Sequence, residues 1–356
     1  MSKILFITRT YPPHIGGMQK LSFELTTRIP IDKTILTFSG NIFLLPVFIL
    51  FTSVYILLNH NNFRIIHLGD PTLSFIGWLA KILFRKTVIV TLHGLDITYP
   101  NPIYQYYLKR FNYNFDKYIC ISNSTYLIAQ KNGYSNLSII KPGISNPQSE
   151  FRNRGESSRL LHKSYFPELE ISKNTIILCT LGRLVPRKGH DWFINHVFPL
   201  LPKNYIYLIA GKGENKSKIE KSIQINKLES RVILLNEIDE FNKNILLNGI
   251  DILILPNISI PNNPEGFGIV ALEASIYGVP VIATDIEGLK EAVLHPITGY
   301  LAKEKNPQDF VKKIEKTVYK LQNNLKIREK ISHNTYKVFG WNKIINNYVD
   351  LFNKYL

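Results

Sequence analysis

The chain is poor in cysteine, with only Cys120 and Cys179 in 356 residues. Two thiols cannot build the disulfide framework of a small secreted domain. Both sit in apolar, strand-like runs and read as buried thiols in a reducing compartment. No Cys/His spacing suited to zinc occurs. Acidic residues are also scarce: 27 Asp and Glu against 43 Lys and Arg give a formal net charge of +16. An evenly basic chain suits an anionic partner: nucleic acid, anionic lipid or a phosphorylated substrate. Nucleic acid is disfavoured, because there is no Lys/Arg cluster on a recognition helix and no RNP-like aromatic run. The N-terminal stretch is not expected to act as a secretory leader: Lys3 is followed by only Ile4-Leu5-Phe6-Ile7 before RTYPPHIGG, too short an apolar stretch.

Long apolar runs are limited to Ile42–Leu58, 17 residues in which only Thr52, Ser53 and Tyr55 carry polar side-chain atoms. That is the lower limit for a spanning helix, and Pro46 interrupts it. Spanning would also put the first strand and Arg64 onward on opposite sides of a bilayer, splitting one domain. The expectation is a helix apolar nearly all round, packed on a sheet on one side and touching lipid on the other. Full burial is the alternative.

What the chain has in quantity is core. An apolar content of 45% over 356 residues is ample for two domains. Residues 1–150 carry 14 Lys and Arg against 6 Asp and Glu, so the front part is the more densely basic. Residues 3–8 pattern as a buried strand, followed by a Pro-Pro turn, Gly16-Gly17 and helical spacing over 18–29. Strand, glycine loop and helix open a doubly wound α/β domain. The glycine pair lacks full phosphate-loop spacing and serves equally as a tight turn. Strands are predicted at 34–38, 65–68, 87–92, 118–121 and 137–140, and helices at 42–58, 72–84, 102–115 and 123–132. Such alternation gives a parallel sheet with ligand-facing residues just past the strand ends. Those ends are Thr8 to Gly17, Gly69-Asp70, His93 to Asp96, and Ser122 to Ser124. His93 directly follows VIVTL and is the candidate with chemistry to offer; a structural histidine oriented by Asp96 is the other reading.

Residues 141–173 change character, with turn formers, charges and little periodicity. Gly143 to about Glu150 reads as a hinge, and Leu160, Leu161, Tyr165 and Phe166 give the remainder something to bury. A second α/β domain then has strands at 175–181, 205–210, 231–235, 251–256 and 279–284. Its helices are predicted at 189–199, 215–226, 240–248, 268–277 and 287–294. Its first turn, GRLVPRKG, carries Arg183 and Lys188, which can converge on one diphosphate; Arg187 competes, and a solvated basic loop is the plainer reading. Gly211 and Gly213 end the next strand at the same edge. The stretch 261–293 turns on Gly266-Phe267-Gly268 into a helix, with Glu265 in the turn and Glu273 on the helix. A glycine turn opening a helix seats an anion, while the carboxylates suit hydroxyls. Together these residues describe a site for a nucleotide sugar.

The Glu-x7-Glu pattern in PEGFGIVALE, followed by ASIYGVPVIATDIEGLKEAV, resembles the retaining glycosyltransferases of family 4. So do RTYPPHIGGM, THGLD, ISNST, KPG, GRLVPRKG and IAGKGE, in family order over roughly residues 1–310. The resemblance implies the GT-B fold: two Rossmann-like doubly wound α/β domains facing across a cleft, 1–145 for the acceptor and 146–339 for the nucleotide sugar. The helix of 340–356 would return to the first domain. It implies that Arg183 and Lys188 hold the donor diphosphate, and Glu273 the ribose hydroxyls. Glu265 would face the donor sugar, and Gly266, Phe267 and Gly268 would offer backbone N–H groups. Gly16 and Gly17 would complete the phosphate pocket, with His93 at the sugar. The implied donor is a UDP- or GDP-sugar, without a metal or other cofactor. The sequence departs from the family pattern at 234–241, which lacks a base-contacting glycine, and at GLKEA in 288–292.

The basic front half and 42–58 add the expectation of a lipid-linked or saccharide acceptor and a cytoplasmic protein peripheral on the inner face of the membrane. The rival readings are another GT-B enzyme, such as a nucleotide-sugar epimerase, or a non-catalytic membrane-associated scaffold.

Overall fold

The computed structural model describes residues 3–13, 16–112, 114–146, 154–165, 167, 172 and 174–356. It divides into two units. The first comprises Met1–Gly143, Pro261–Phe267 and Trp341–Leu356, and the second Ile144–Ile260 and Gly268–Gly340. Each unit holds one six-stranded sheet, and the strand pairings are parallel.

In the first unit β1 (Ile4–Thr8) is followed by α1 (Gly17–Arg28) and β2 (Lys33–Thr37). Next come α2 (Leu45–Asn59), β3 (Ile65–Leu68), α3 (Ser74–Phe84) and β4 (Thr87–Leu92). A short α4 (Leu95–Thr98), α5 (Pro102–Phe111), β5 (Lys117–Cys120), α6 (Asn123–Lys131) and β6 (Leu137–Ile139) complete the series. The strand order β2-β1-β3-β4-β5-β6 reverses direction between β1 and β3, which is where ligands bind in such sheets. The strands read as near-continuous apolar runs because both faces are covered. Leu5, Ile7, Ile66, Leu68, Val88 and Val90 belong to one buried core. On the other face, Phe6 and His67 meet Phe352 of the chain's last helix at ring separations of 5.9 and 5.8 Å. The predicted helix 102–115 stops at Phe111, because the Asn112 side chain is drawn into the core, where it bonds Ser74 and Tyr134.

The apolar segment 42–58 begins as a 3-10 turn and continues as α2. It is not fully buried. Leu45, Phe48, Thr52, Ser53 and Ile56 face the core, whereas Val47, Leu50, Phe51 and Leu58 are exposed. Among the described residues no helix is long and apolar enough to cross a membrane.

In the second unit α7 (Arg154–Tyr165) leads to β7 (Ile176–Leu181), α8 (His190–His196), β8 (Tyr205–Ala210), α9 (Lys216–Ile225) and β9 (Val232–Leu235). Then follow α10 (Glu240–Gly249), β10 (Ile252–Leu255), α11 (Ile269–Ser275), β11 (Val281–Thr284), α12 (Leu289–Ala292) and β12 (Gly299–Ala302). The order β12-β11-β10-β7-β8-β9 reverses between β7 and β10. The arm expected from composition is the helix α7. Leu161 is fully buried, and Ser157 and Ser158 bond Asn248 and Gly249 at the end of α10. Residues 147–150 of the expected hinge, and Phe166, lie outside the described residues. Two helices absent from the sequence reading, α13 (Pro307–Asn323) and α14 (Ile327–Phe339), precede α15 (Trp341–Asn353). Both cysteines are buried and free, and burial pushes the Cys120 thiol up to about 12.

Candidate active site

At the carboxyl edge of the second sheet the turns after β7 and β8 nest backbone on backbone. Gly182 N–H donates to the Ala210 carbonyl at 3.0 Å, Leu184 N–H to Lys212 at 2.8 Å, and Asn215 N–H to Leu184 at 2.9 Å. A Cβ on Gly211 would stand 1.9 Å from the Gly182 carbonyl oxygen, and one on Gly213 would stand 2.3 Å from that of Leu184. Both glycines have positive φ, 147° and 157°. Glycine is therefore required here by the close approach of two backbones, a signal that spacing alone does not carry.

This frame carries the cations. Arg183 is exposed, and its side chain has no hydrogen-bond or ion-pair partner among the described residues. Arg187 and Lys188 are buried in a 3-10 turn. The Lys188 chain folds back toward the strand end, with its Cε 3.8 Å from where a Gly182 Cβ would stand. Gly189 ends the turn at φ 66°, where a Cβ would meet the Pro256 carbonyl oxygen at 2.0 Å. The turn after β7 is thus pinned to the segment after β10, at the sheet's reversal.

Glu273 lies on α11, a helix of seven residues, shorter than the 268–277 expected from the pattern. Its carboxylate accepts a bond from Lys243 Nζ at 3.1 Å, and Lys243 also holds Glu240 at 2.5 Å. Lys243 escaped the sequence reading because its partner lies 30 residues away. Gly268 caps α11 at φ 85°.

In the first unit His93 follows β4 and is buried. Its Nε2 lies 2.9 Å from the Gly69 carbonyl oxygen, a pairing that places the proton on Nε2 and leaves Nδ1 an acceptor. Asp96 does not orient the ring. Its two carboxylate oxygens accept the His93 backbone N–H at 3.0 and 2.9 Å. Burial raises the Asp96 carboxyl above the usual range, against the pull of His93.

The segment Pro261–Phe267, expected with the second domain, clusters with this strand end instead. Thr98 donates to the Asn262 carbonyl at 3.1 Å. A Cβ on Gly266 would fall 2.3 Å from the His93 carbonyl oxygen. Glu265, which is 8% exposed, is therefore held beside His93 by a contact only glycine allows, and Phe267 next to it is buried. Gly16, in extended backbone, precedes α1, and no side chain caps that helix. Among the described residues the first amides of α1 are thus left for an anion, with Gly17 as the first helical residue.

Arg9 and Asp70 lie at the β1/β3 reversal, among the strand-end residues named from sequence, but their pairing was not foreseen. Arg9 Nε donates to Asp70 Oδ1 at 3.0 Å, and the Asp70 side chain is fully buried. Asp70 also accepts the Thr72 N–H at 2.9 Å, so it fixes the first turn after β3. Among the described residues no cluster of three or more His, Cys, Asp or Glu is arranged to hold a metal ion.

Two parallel α/β sheets, with chemistry gathered at their carboxyl edges, define the class: a GT-B glycosyltransferase. Residues 5–146 match the model of Glycosyltransferase Family 4, and residues 162–338 that of Glycosyl transferases group 1. The chain belongs to these glycosyltransferases. Among its relatives, an uncharacterized glycosyltransferase of Methanocaldococcus jannaschii is 28% identical over 76% of this chain and 69% of its own. The capsular polysaccharide biosynthesis glycosyltransferase CapM of Staphylococcus aureus is 24% identical over 87% of this chain and 79% of its own. Among solved structures, Anabaena HepE in complex with UDP-glucose superposes with a TM-score of 0.77 at 17% identity, covering 99% of this chain and 100% of that one.

Proposed function

We propose that the protein is a retaining hexosyltransferase. It moves a sugar from a UDP- or GDP-sugar to an acceptor hydroxyl during assembly of a cell-envelope or capsular polysaccharide or glycolipid. The observation that carries this reading is the nested pair of turns after β7 and β8, which fixes the backbone of Arg183 and Lys188. Departure of a nucleoside diphosphate builds charge on the leaving phosphate, and preorganised cations stabilise that charge best. The capsular relative and the UDP-glucose complex of the Anabaena neighbour support the pathway and the donor class.

In this reading Arg183 forks across diphosphate oxygens while Lys188 acts as a point charge. Glu273, steadied by Lys243, accepts bonds from the ribose hydroxyls. Glu265 and His93 engage the donor sugar near its reacting carbon, and Gly266, Phe267 and Gly268 offer backbone N–H groups. The amides following Gly16 and Gly17 face phosphate, and Gly211 and Gly213 keep the frame closed. The anomeric C–O bond to phosphate breaks as the acceptor oxygen bonds to the same face. The acceptor's proton passes to the leaving phosphate oxygen. The fixed cations do this without a metal ion. The acceptor is lipid-linked or a saccharide, and residues 42–58 bring the cytoplasmic protein to the inner face of the membrane.

A screen of UDP- and GDP-sugars for donor hydrolysis identifies the donor, and NMR of the product gives the anomeric configuration. Lys188→Ala and Glu265→Ala are expected to lower turnover at least about a hundredfold. Turnover left intact in both variants, or an inverted product, overturns the reading. Activity unchanged by a chelator is the expected result for metal independence.

A further inference from the structure

We propose that the outer face of α2, α3 and α5 is a docking surface for an anionic lipid bilayer, on which the first unit lies with α2 in the plane of the membrane. The proposal deepens the membrane-surface contact in the reading above and, for its biological sense, rests on it.

Three observations carry it. The first is apolar exposure on three neighbouring helices. Opposite its buried side α2 exposes Val47, Leu50, Phe51, Val54 and Leu58, the last 79% exposed, and the turn before it exposes Phe43 at 85%. Helix α3 packs against both α2 and α5. It adds exposed Ile82 and Leu83, and α5 adds Ile103 and Tyr106. Single exposed apolar residues are ordinary, but several on each of adjoining helices mark an interaction surface.

The second observation is charge. From Lys33 to Phe115 the chain has seven Lys and Arg and only two carboxylates, Asp70 and Asp96. Asp70 is fully buried against Arg9, and Asp96 is tied to the His93 N–H. Asp116, one residue past Phe115, is taken up by Lys81 of α3 at 2.7 Å, so Arg64, Arg85, Lys86, Lys109 and Arg110 remain as cations without an Asp or Glu partner among the described residues.

The third is where the cations sit. Arg64 follows α2, Arg85 and Lys86 follow α3, and Lys109 and Arg110 end α5. They gather at one end of three helices that run alongside one another, as a headgroup-binding rim beside an apolar patch would require. Two copies of this chain meeting through the face would bring cation against cation, which argues for lipid over self-association.

The test is flotation of the full chain with phosphatidylcholine vesicles, with and without phosphatidylglycerol. Binding is expected only with phosphatidylglycerol and is expected to fall with salt. Leu50→Glu with Phe51→Glu should lower the partition by at least about tenfold. Arg85→Glu with Lys86→Glu should do the same. Donor hydrolysis should be unchanged in both. Failure of the wild type to float overturns the proposal, as does flotation insensitive to both double variants. A dimer seen by light scattering that Leu50→Glu dissolves, without vesicle binding, assigns the face to a second copy and also overturns it. Flotation without donor hydrolysis in any screen would sink the enzymatic reading and leave this one standing.

Discussion

His190 opens α8 immediately after the cation-bearing turn and is fully buried, with neither ring nitrogen hydrogen-bonded among the described residues. Burial first, and then the charge of Lys188, pushes its pKa down to about 3. In an unfolded chain the same ring titrates near 6.5. The folded value lies below the unfolded one, so as pH falls the unfolded state takes up the proton first. The stability is whole above about pH 6.5 and is lost progressively down to about pH 3. Between roughly pH 7.5 and pH 5 this one ring removes about 2 kcal/mol. His190→Leu deletes the titration and two buried polar atoms that lack partners, each costing about 1–3 kcal/mol. The different shape of leucine offsets about 1–3 kcal/mol of that sum, so the variant should gain about 1–3 kcal/mol at neutral pH, and its stability should fall about 2 kcal/mol less than the wild type's at pH 5. Urea unfolding followed by the fluorescence of Trp192, two residues along the same helix, measures both. Equal acid sensitivity in the two proteins would refute the reasoning, as would a less stable variant at both pH values.

Arg9→Ala leaves the buried Asp70 carboxylate without its cation and should cost about 3–5 kcal/mol; Arg9→Met with Asp70→Asn should recover most of that in thermal melts. Gly266→Ala drives a methyl into the His93 carbonyl. It should cost about 1–3 kcal/mol and reduce donor turnover more than Asn262→Ala does. Cys120 and Cys179, both buried with raised pKa values, should react with a thiol reagent only after denaturation.

Most strand positions were legible because a parallel strand covered on both faces is an apolar run of fixed length, and Ile65–Leu68, Thr87–Leu92 and Tyr205–Ala210 fall where the pattern puts them. Gly299–Ala302 was not, since a run of four residues opening on glycine is too short to stand out as a strand. It becomes a strand only by pairing with Val281–Thr284. Helix α13 announces itself through Phe310, Ile314 and Val318 at helical spacing, a signal obscured by its lysines. The edges where chemistry gathers follow from the α/β rule. Pairings across long chain separations do not, as Arg9 with Asp70, Lys243 with Glu273, and Gly266 against His93 show. These depend on the folded backbone, and no local window holds both partners.

The last helix sets the order in which the molecule can be completed. Phe6 and His67 lie against Phe352, so this part of the first sheet stays uncovered until Phe352 leaves the ribosome. At about 5–20 residues per second that interval is roughly 15 to 60 seconds. The sheet synthesised first is therefore the one sealed last, and the newborn chain must keep an oily flank out of trouble while its other half folds.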